Sequence, residues 1–355
     1  MNVEELFTTM VERRASHLHL VPGSPIMMRQ QKRLEPLDGH VLSPQDTRAI
    51  AEAIMDEQLL DSFEENLETD FSFSVPGLSR FRVNCFRQRG SVAIVISTNP
   101  PAPPTIEELG LPDILKQLII ETDSGLIMIT GPKSAGKAHT LAALVNYVLE
   151  MRTCQVLSIE NPIDFLHKNK KGIICQREIG TDTLSYESAF KSLLHQGADV
   201  VVITGVDEFT AVERVLNLAA GGNLVLCTAN SPSALVLIEK MVDLYPPHLH
   251  QQARTLLSVG LRSVIAQQLL PRVSGDGLVP CFEILLGTPQ VKQLIREGKF
   301  FQIASVMATS GREEGMLTQE MSLRQLVKKN LVSEDEAYRR AANPESFKKI
   351  MSLPY

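Results

Sequence analysis

The sequence has no tryptophan, few aromatic residues and little excess charge of either sign. Aromatic residues make up 5% of the 355 residues, and the formal net charge is −6. A chain without a large positive charge has no general electrostatic attraction to nucleic acid or to anionic lipid. We therefore expect no nucleic acid among its partners.

Cysteine is also scarce and widely spaced. The chain has five cysteines, an odd number, and no pair of them has the CxxC spacing. Neither a disulfide framework nor a zinc site is typical of such a pattern, so we expect a reducing compartment and no metal site built from these residues. The cysteines are Cys85, Cys154, Cys175, Cys227 and Cys281.

Long apolar runs are missing as well. A run such as Val200–Ile203 is far shorter than the ~18 residues that a membrane-spanning helix requires. The first residues, Met1–Glu12, are acidic and amphipathic, without the basic and apolar regions of a secretory leader. The sequence therefore predicts a cytoplasmic protein whose contact with a membrane depends on partners.

A proline-rich segment at residues 99–104, Asn-Pro-Pro-Ala-Pro-Pro, is the clearest boundary signal. Such a segment is stiff, extended and poor in backbone donors, which is typical of a linker. It predicts a first domain at residues 1–98. Thr105 and Glu108 follow with the spacing of a capping box, which predicts a helix starting there.

The two sides of this linker have different hydrophobic patterns. Before it, residues 71–75 and 81–85 alternate apolar and polar side chains, which predicts two antiparallel strands, and residues 1–14 and 44–66 look helical. After it, apolar strands alternate with helical segments, the pattern of an α/β domain with a mainly parallel sheet. We predict an α+β first domain, an α/β domain at residues 105–286 and a helical portion at residues 287–355. The strands of the α/β domain are expected at 125–130, 156–159, 199–203 and 224–227.

One motif carries chemistry. The segment from Gly131 to Ala138 fits the phosphate-loop pattern GxxxxGK[ST] except at its last position, and it lies between an apolar strand and a helix. In such a loop, backbone N–H groups, the helix N-terminus and a lysine converge on phosphates. The candidate nucleotide-binding residues are Gly131, Pro132, Lys133, Ser134, Ala135, Gly136, Lys137, Ala138 and His139.

Further segments carry a resemblance to a known family. The sequence is similar to the twitching-motility retraction ATPases of type IV pili (PilT/PilU-like), within the type II/IV secretion ATPases, over roughly residues 1–350. The matching segments are Ala15–Leu20, Glu68–Phe73, Arg80–Asn84, the aspartate box Ser158–Asp164, Gln176–Glu178, Gly287–Pro289 and Leu294–Glu297.

The resemblance implies both a fold and a function. It implies a PAS-like N-terminal domain, a RecA-like P-loop domain and ATP as the ligand. It also implies a six-membered ring at the cytoplasmic base of a pilus machine, peripheral to the inner membrane and in contact with its platform protein.

Five positions depart from the family pattern, and all fall on places the family uses for chemistry. Ala138 replaces the hydroxyl residue that coordinates magnesium, which argues against a bound Mg²⁺. Gly205 stands at the place of the glutamate that orients the attacking water. The other three are Asn161 in the aspartate box, Asn230 in the histidine box and Ser97 at an arginine position.

Other side chains are candidates for the missing roles. Glu160 remains in the aspartate box, and Glu208, or Asp207 after a local shift, is close to Gly205 in the sequence. Arg80 and Arg82 share one strand face, where either a subunit interface or a phosphate contact is reasonable. Whether such a chain is an active enzyme stays open at this point.

Three interpretations of the function follow from these residues. The leading one is a degenerate, weakly active or inactive ATP-binding accessory subunit of the pilus retraction apparatus, a pseudo-ATPase in a hexamer with an intact retraction ATPase paralogue. The alternatives are an active retraction motor that uses non-standard residues, and a scaffold that no longer binds nucleotide.

Overall fold

The computed structural model describes residues 3–13, 15–30, 33–75, 78–98, 102–193, 195–275, 277–309 and 314–352. The chain divides into two compact units, residues 1–101 and 102–355. Of the proline-rich segment, residues 99–101 lie outside the described residues, and residues 102–104 belong to no helix or strand.

The first unit combines one antiparallel sheet with three helices. The strand order is β3-β2-β1-β6-β5-β4, and each described pairing between neighbours is antiparallel. Its elements are α1 (Val3–Glu12), β1 (His17–Leu20), β2 (Pro25–Gln30), β3 (Arg33–Val41), α2 (Pro44–Ile54), α3 (Glu57–Asn66), β4 (Glu68–Val75), β5 (Ser79–Gln88) and β6 (Ser91–Thr98).

The alternating residues form the strands that their pattern predicts. Phe81, Val83 and Cys85 of β5 are buried, and Phe71 of β4 pairs with Val83. The sheet is nevertheless six-stranded, and the sequence pattern does not predict β3. That strand is exposed along its length except at the half-buried Leu37, so it carries no alternation. The predicted turn at residues 76–77 lies outside the described residues, and the PAS-like character of this unit stays a prediction.

The second unit contains a seven-stranded sheet flanked by helices. Its first ten elements are α4 (Ile114–Glu121), β7 (Gly125–Thr130), α5 (Lys137–Met151), β8 (Gln155–Glu160), β9 (Ile173–Glu178), α6 (Tyr186–Leu193), β10 (Val200–Ile203), α7 (Phe209–Ala220), β11 (Leu224–Thr228) and α8 (Ala234–Asp243). The rest are a short 3₁₀ turn (Pro247–Leu249), α9 (His250–Gly260), β12 (Leu261–Pro271), β13 (Leu278–Leu286), α10 (Pro289–Glu297), a second 3₁₀ turn (Phe300–Gln302), α11 (Ile303–Ala308), α12 (Gln319–Lys328), α13 (Glu334–Arg340) and α14 (Pro344–Ser352).

The sheet of this unit has the order β13-β12-β7-β11-β10-β8-β9, and every described pairing except β12–β13 is parallel. This confirms the predicted mainly parallel α/β sheet. The central strands β7, β10 and β11 are buried at every residue, which explains their unbroken apolar sequences. In such a sheet the carboxyl ends of the parallel strands meet at one edge, where ligands bind.

The capping box at Thr105 is present, but the helix that it predicts is not. The backbone N–H of Thr105 donates to Glu108 Oε2 (2.8 Å), and the N–H of Glu108 donates to Thr105 Oγ1 (3.2 Å). The chain then makes only a turn, because Gly110 adopts a left-handed conformation (φ 62°) and Pro112 follows two residues later. The first helix of this unit begins at Ile114.

The C-terminal portion is helical, and its helices pack on two different cores. Helices α10 and α11 pack on the main core of the second unit through residues such as Ile295 and Ile303. Helices α12, α13 and α14 close a smaller core over the β12–β13 hairpin, where Leu323 and Phe347 pack with Leu270. Within the described ranges, no helix has the length and apolar content needed to cross a membrane.

Candidate functional site

The phosphate loop follows β7 and leads directly into α5. Gly131 has φ 149°, and a Cβ atom at this position would lie 2.2 Å from the backbone oxygen of Gln267 in β12. Gly136 is the N-cap of α5 with φ 85°, and Lys137 is the first helical residue. The two glycines therefore occupy backbone positions that a larger residue could take only with strain.

Gln267 holds the loop from the β12 side. Its Nε2 donates to the carbonyl of Ala135 (2.6 Å), and its Oε1 accepts from the hydroxyl of Thr140 in α5 (2.7 Å). The residue is 4% exposed, so both ends of a buried amide are satisfied. With the Ala135 carbonyl held against β12, the loop is tied to both the sheet and the helix.

Lys137 lies across the loop. Its Nζ donates to the carbonyls of Gly131 (3.0 Å) and Pro132 (2.9 Å). Burial lowers the pKa of Lys137, whereas the nearby charge of Asp207 acts to raise it. The lysine thus lies where it can meet an anion bound by the loop.

The other candidate residues of the loop contribute less. Pro132 and Lys133 are exposed, and the ring of His139 packs edge-on against Phe165 with 5.0 Å between centroids. Ser134 has φ 63°, a left-handed conformation that is unfavourable for a residue with a Cβ. The chain therefore keeps the loop's shape even at a position where glycine would be less strained.

A cavity of about 580 Å³ opens beside the loop. This volume lies within the usual range of small-molecule sites. Its walls combine the loop with residues from β12, β13 and the turn after Thr105. They include Glu108, Leu109, Gly136, Lys137, Gln267 and Arg272.

Ala138 faces a second, much smaller cavity of about 20 Å³. The same cavity is lined by Ser158, Glu160 and Thr204, which come from the carboxyl ends of β8 and β10. In the described part of the chain, no group of three or more His, Cys, Asp or Glu side chains is arranged to hold a metal ion. Ala138 itself offers no side-chain oxygen as a metal ligand.

Glu160 is buried at the end of β8. Its Oε1 accepts from the hydroxyl of Ser158 (2.6 Å) and from Nε2 of Gln176 (3.0 Å). Burial raises the pKa of Glu160 to about 7, against the opposing effect of these two hydrogen bonds. This carboxyl group therefore changes its protonation near neutral pH.

The segment after β10 presents no free carboxylate at its critical position. Gly205 has φ 71° and no side chain, and the Tyr186 hydroxyl donates to the carbonyl of the preceding Thr204 (2.6 Å). Glu208 is the exposed N-cap residue of α7 and makes no side-chain capping bond.

Asp207 is held in place by two neighbours. Its Oδ1 accepts from Nζ of Lys240 in α8 (2.6 Å), and its Oδ2 accepts from Nδ2 of Asn230 (2.5 Å). Burial opposes ionisation of Asp207, but the bonds from Lys240 and Asn230 outweigh it, so the pKa of Asp207 is lowered. A carboxylate in this state is a weak base.

The comparisons with known proteins agree with this arrangement. A model of the family described as Type II/IV secretion system protein matches residues 3–348. The chain is 37% identical over 347 residues to the type IV pilus retraction ATPase PilT of Pseudomonas aeruginosa, which covers 98% of this chain and all of that one. It is 35% identical over 353 residues to the type IV pilus ATPase PilU of the same organism, covering 99% and 92% of the two chains.

The fold gives the same result. A crystal structure of the pilus retraction motor PilT with bound ADP superimposes with a TM-score of 0.92 and 34% sequence identity, over 98% of this chain and 99% of that one. The chain belongs to the type IV pilus retraction ATPase family. Its two units are accordingly the N-terminal domain and the RecA-like ATPase domain of that fold.

Within this family, the structure brings several of the candidate residues of the second unit together. The loop residues, Glu160 and the segment 204–208 all meet at the carboxyl edge of the RecA-like sheet. Arg80 and Arg82 belong to β5 of the N-terminal domain, where Arg82 forms an ion pair with Asp70 (2.5 Å).

Two residues of the site, Gln267 and Lys240, were not predicted from the sequence pattern. Gln267 is the last residue of the buried run 263–267 in β12, so a long polar side chain in a buried run was the available signal. Lys240 is the only basic residue in the last turn of α8, and no motif pointed to its contact with Asp207, 33 residues away in the sequence. Its role depends on a tertiary contact that the sequence pattern does not reveal.

Proposed function

We propose that this chain is an ATP-binding subunit of a type IV pilus machine that hydrolyses ATP weakly or not at all. One observation carries the proposal: the phosphate loop is formed around Lys137, whereas the segment after β10 has Gly205 in place of an acidic side chain and keeps Asp207 in an ion pair. Binding and hydrolysis need different groups, and only the groups for binding are in place.

In this proposal residues 131–139 hold the nucleotide phosphates. The amides of the loop and the N-terminus of α5 receive the anion, and Lys137 adds a full positive charge. The large cavity beside the loop accepts the rest of the nucleotide. Because Ala138 lacks a hydroxyl, affinity should depend little on magnesium.

The relatives support the assignment to a pilus machine. Curated relatives are named as a pilus retraction ATPase and a pilus ATPase, and a matching solved structure is a retraction motor with bound ADP. By analogy, we place the chain in the cytoplasm at the inner membrane, in a six-membered ring near the platform protein. Its partner in this proposal is an intact retraction ATPase, either in the same ring or in a stacked one.

Co-purification from the native host tests the partnership. We expect the tagged full-length chain to bring down an intact retraction ATPase in a complex whose mass fits a ring or two stacked rings. A chain that is found only as a monomer or a self-contained oligomer, and whose deletion leaves pilus dynamics unchanged, would contradict the accessory role.

A second function, that of an active retraction motor, is favoured by one observation. Glu160 is buried beside Ala138, and its pKa of about 7 suits a group that accepts a proton near neutral pH. If the motor reading is right, Glu160→Gln abolishes a substantial rate of phosphate release. If the wild type releases no more phosphate than Lys137→Ala, the motor reading is wrong.

The third hypothesis, a scaffold that no longer binds nucleotide, makes a different prediction: the chain should show no affinity for ADP. Calorimetric titration with ADP decides between it and the leading proposal. Measurable affinity that disappears in Lys137→Ala supports the nucleotide-binding subunit, and no affinity in the wild type supports the scaffold.

A further inference from the structure

A polar cluster of Asp207, Asn230 and Lys240 lies where β10 and β11 end, and nucleotide binding by the loop does not require it. Besides the two contacts described above, the backbone N–H of Asn230 donates to Asp207 Oδ1 (3.1 Å), and Lys240 Nζ donates to the carbonyl of Asn230 (3.2 Å). The carboxylate thus receives an ammonium, an amide side chain and a backbone N–H.

This cluster is joined to the residue that precedes the phosphate loop. The hydroxyl of Thr130, the last residue of β7, contacts the carbonyls on both sides of Asn230, at 3.3 Å for Ala229 and 3.1 Å for Ser231. The N–H of Ala229 also donates to the carbonyl of Ile129 (3.0 Å). The position of Asn230 relative to the loop is therefore fixed by strand-end contacts.

The cluster lies beside the phosphate loop, because Thr130 directly precedes Gly131 and contacts the carbonyls that flank Asn230, whose side chain binds Asp207. The charge of Asp207 acts to raise the pKa of Lys137, although burial lowers that pKa overall. A phosphate-loop lysine reaches the outer phosphates of a nucleotide. The Asp207–Lys240 pair therefore lies at the same edge of the sheet as the lysine that meets those phosphates.

The two charges of the pair act in opposite directions on the outermost phosphate. The carboxylate of Asp207 repels it, and the ammonium of Lys240 attracts it. Both side chains are about one-third exposed or less, at 35% for Lys240 and 27% for Asp207, so solvent screens them only in part. An ADP molecule lacks the phosphate on which the two charges act most strongly.

We propose that the Asp207–Lys240 pair determines the preference of this site between nucleoside triphosphate and diphosphate. The inference rests on the proposed nucleotide binding and assigns its specificity to two residues outside the loop. The charge of Asp207 repels the third phosphate, and the charge of Lys240 partly offsets this repulsion by attracting the same phosphate. The balance between the two sets the ratio of ATP affinity to ADP affinity.

Removing one charge at a time tests the proposal with opposite expected signs. Asp207→Asn keeps the shape and removes the negative charge, so ATP affinity should rise on the order of tenfold relative to ADP affinity. Lys240→Met keeps an unbranched side chain and leaves Asp207 without its ammonium, so the same ratio should fall on the order of tenfold.

The measurement is calorimetric titration of the full-length chain with ATP and with ADP, in EDTA so that hydrolysis does not interfere. Lys191→Met is the matched control, because Lys191 forms an exposed ion pair with Glu187 (2.9 Å) on α6 and loses the same charge without a contact to the cluster. We expect this control to keep the wild-type ratio. Thermal unfolding of each variant confirms that the fold is retained.

The possible outcomes separate the inference from the proposed function. Opposite shifts in the two variants support the pair as the determinant of specificity. Unchanged ratios, or equal losses of ATP and ADP affinity in both variants, overturn it while nucleotide binding by the loop stands. A wild-type chain that binds neither nucleotide overturns the proposed function and the inference together.

Discussion

The two walls of the nucleotide site differ in how they are built. The loop wall, residues 131–137 with Gln267, retains two glycines at backbone positions that a larger residue could take only with strain, a buried amide that holds the loop and a lysine directed across it. The strand-end wall, made of Glu160, residues 204–208 and Asn230, has a glycine and a neutral amide at two positions where the family pattern has reactive groups, and its Asp207 is held in an ion pair.

In the proposed function, phosphate binding and hydrolysis therefore depend on separate groups. The loop wall acts through backbone N–H groups, whose positions depend on packing and survive many side-chain changes. The strand-end wall acts through individual side chains, so single substitutions remove its chemistry without disturbing the sheet. The following predictions challenge this comparison, starting with the largest expected effect.

Replacing Gly131 should damage the loop wall most. In Gly131→Ala the new Cβ would meet the Gln267 backbone oxygen at 2.2 Å, so we expect a destabilisation of at least about 3 kcal/mol in urea unfolding. Gly275→Ala is the control, because Gly275 also has a positive φ (77°) but has open space around it. Equal effects of the two substitutions would show that the loop is not held against β12.

Glu160 should make the stability of the strand-end wall depend on pH. Its pKa of about 7 in the folded chain lies above the ordinary value of 4.5, so its contribution to stability is fully present below pH 4.5 and is lost as the pH rises to 7. The total change is about 3 kcal/mol for a shift of this size. Glu160→Gln should remove it from unfolding curves measured between pH 4.5 and 8.

Glu283 offers a matched control for this prediction. Burial also raises the pKa of Glu283 to about 7, and its Oε1 accepts from the N–H of Ala234 outside the strand-end wall. Each single Gln variant should therefore remove part of the pH dependence, and the double variant should remove most of it. A pH dependence that Glu160→Gln leaves intact would contradict a buried protonated Glu160.

Lys137 should dominate nucleotide affinity. Lys137→Ala removes a charge-assisted contact to the phosphates, so we expect about a hundredfold weaker ADP binding by titration. Lys133→Ala is the control on the same loop. Because the Lys133 side chain is exposed, this variant should weaken ADP binding only a few fold. Similar losses in both variants would indicate a general electrostatic attraction instead of a specific lysine.

Ser134 should give the smallest change, and it should be favourable. Its φ of 63° costs a non-glycine residue ~1–2 kcal/mol, part of which is offset by the greater freedom of glycine in the unfolded chain. Ser134→Gly is thus expected to stabilise the chain by about 1 kcal/mol in thermal or urea unfolding. Asn330→Gly (φ 54°) should gain less, because asparagine tolerates this conformation better.

The sequence predicted the central strands and the loop because these signals are local. The buried strands β7, β10 and β11 appear as apolar runs, and the phosphate loop has a fixed spacing between Gly131 and Lys137. The exposed strand β3 and the turn after Thr105 were missed or mistaken because their patterns are weak or ambiguous. The contacts of Gln267 and Lys240 join residues 132 and 33 positions apart, and pairing of this kind is not visible in a single sequence.

In the proposed function, the loop wall binds nucleotide and the strand-end wall does not support hydrolysis. Two substitutions would restore two of the missing groups. Ala138→Ser supplies a hydroxyl, and Gly205→Glu supplies a carboxylate at a position with a left-handed φ (71°), where a Cβ is strained but meets only the Tyr186 hydroxyl at 3.6 Å. Since metal and water must be positioned together, the double variant should release phosphate faster than either single variant.

Steady-state phosphate release from the purified full-length chain tests the claim most directly. We predict that the wild type, with ATP and magnesium, releases phosphate as slowly as its Lys137→Ala variant. The wild type should nevertheless bind nucleotide. A wild-type rate well above this variant, on the order of 1 s⁻¹, would show a working ATPase and contradict the account.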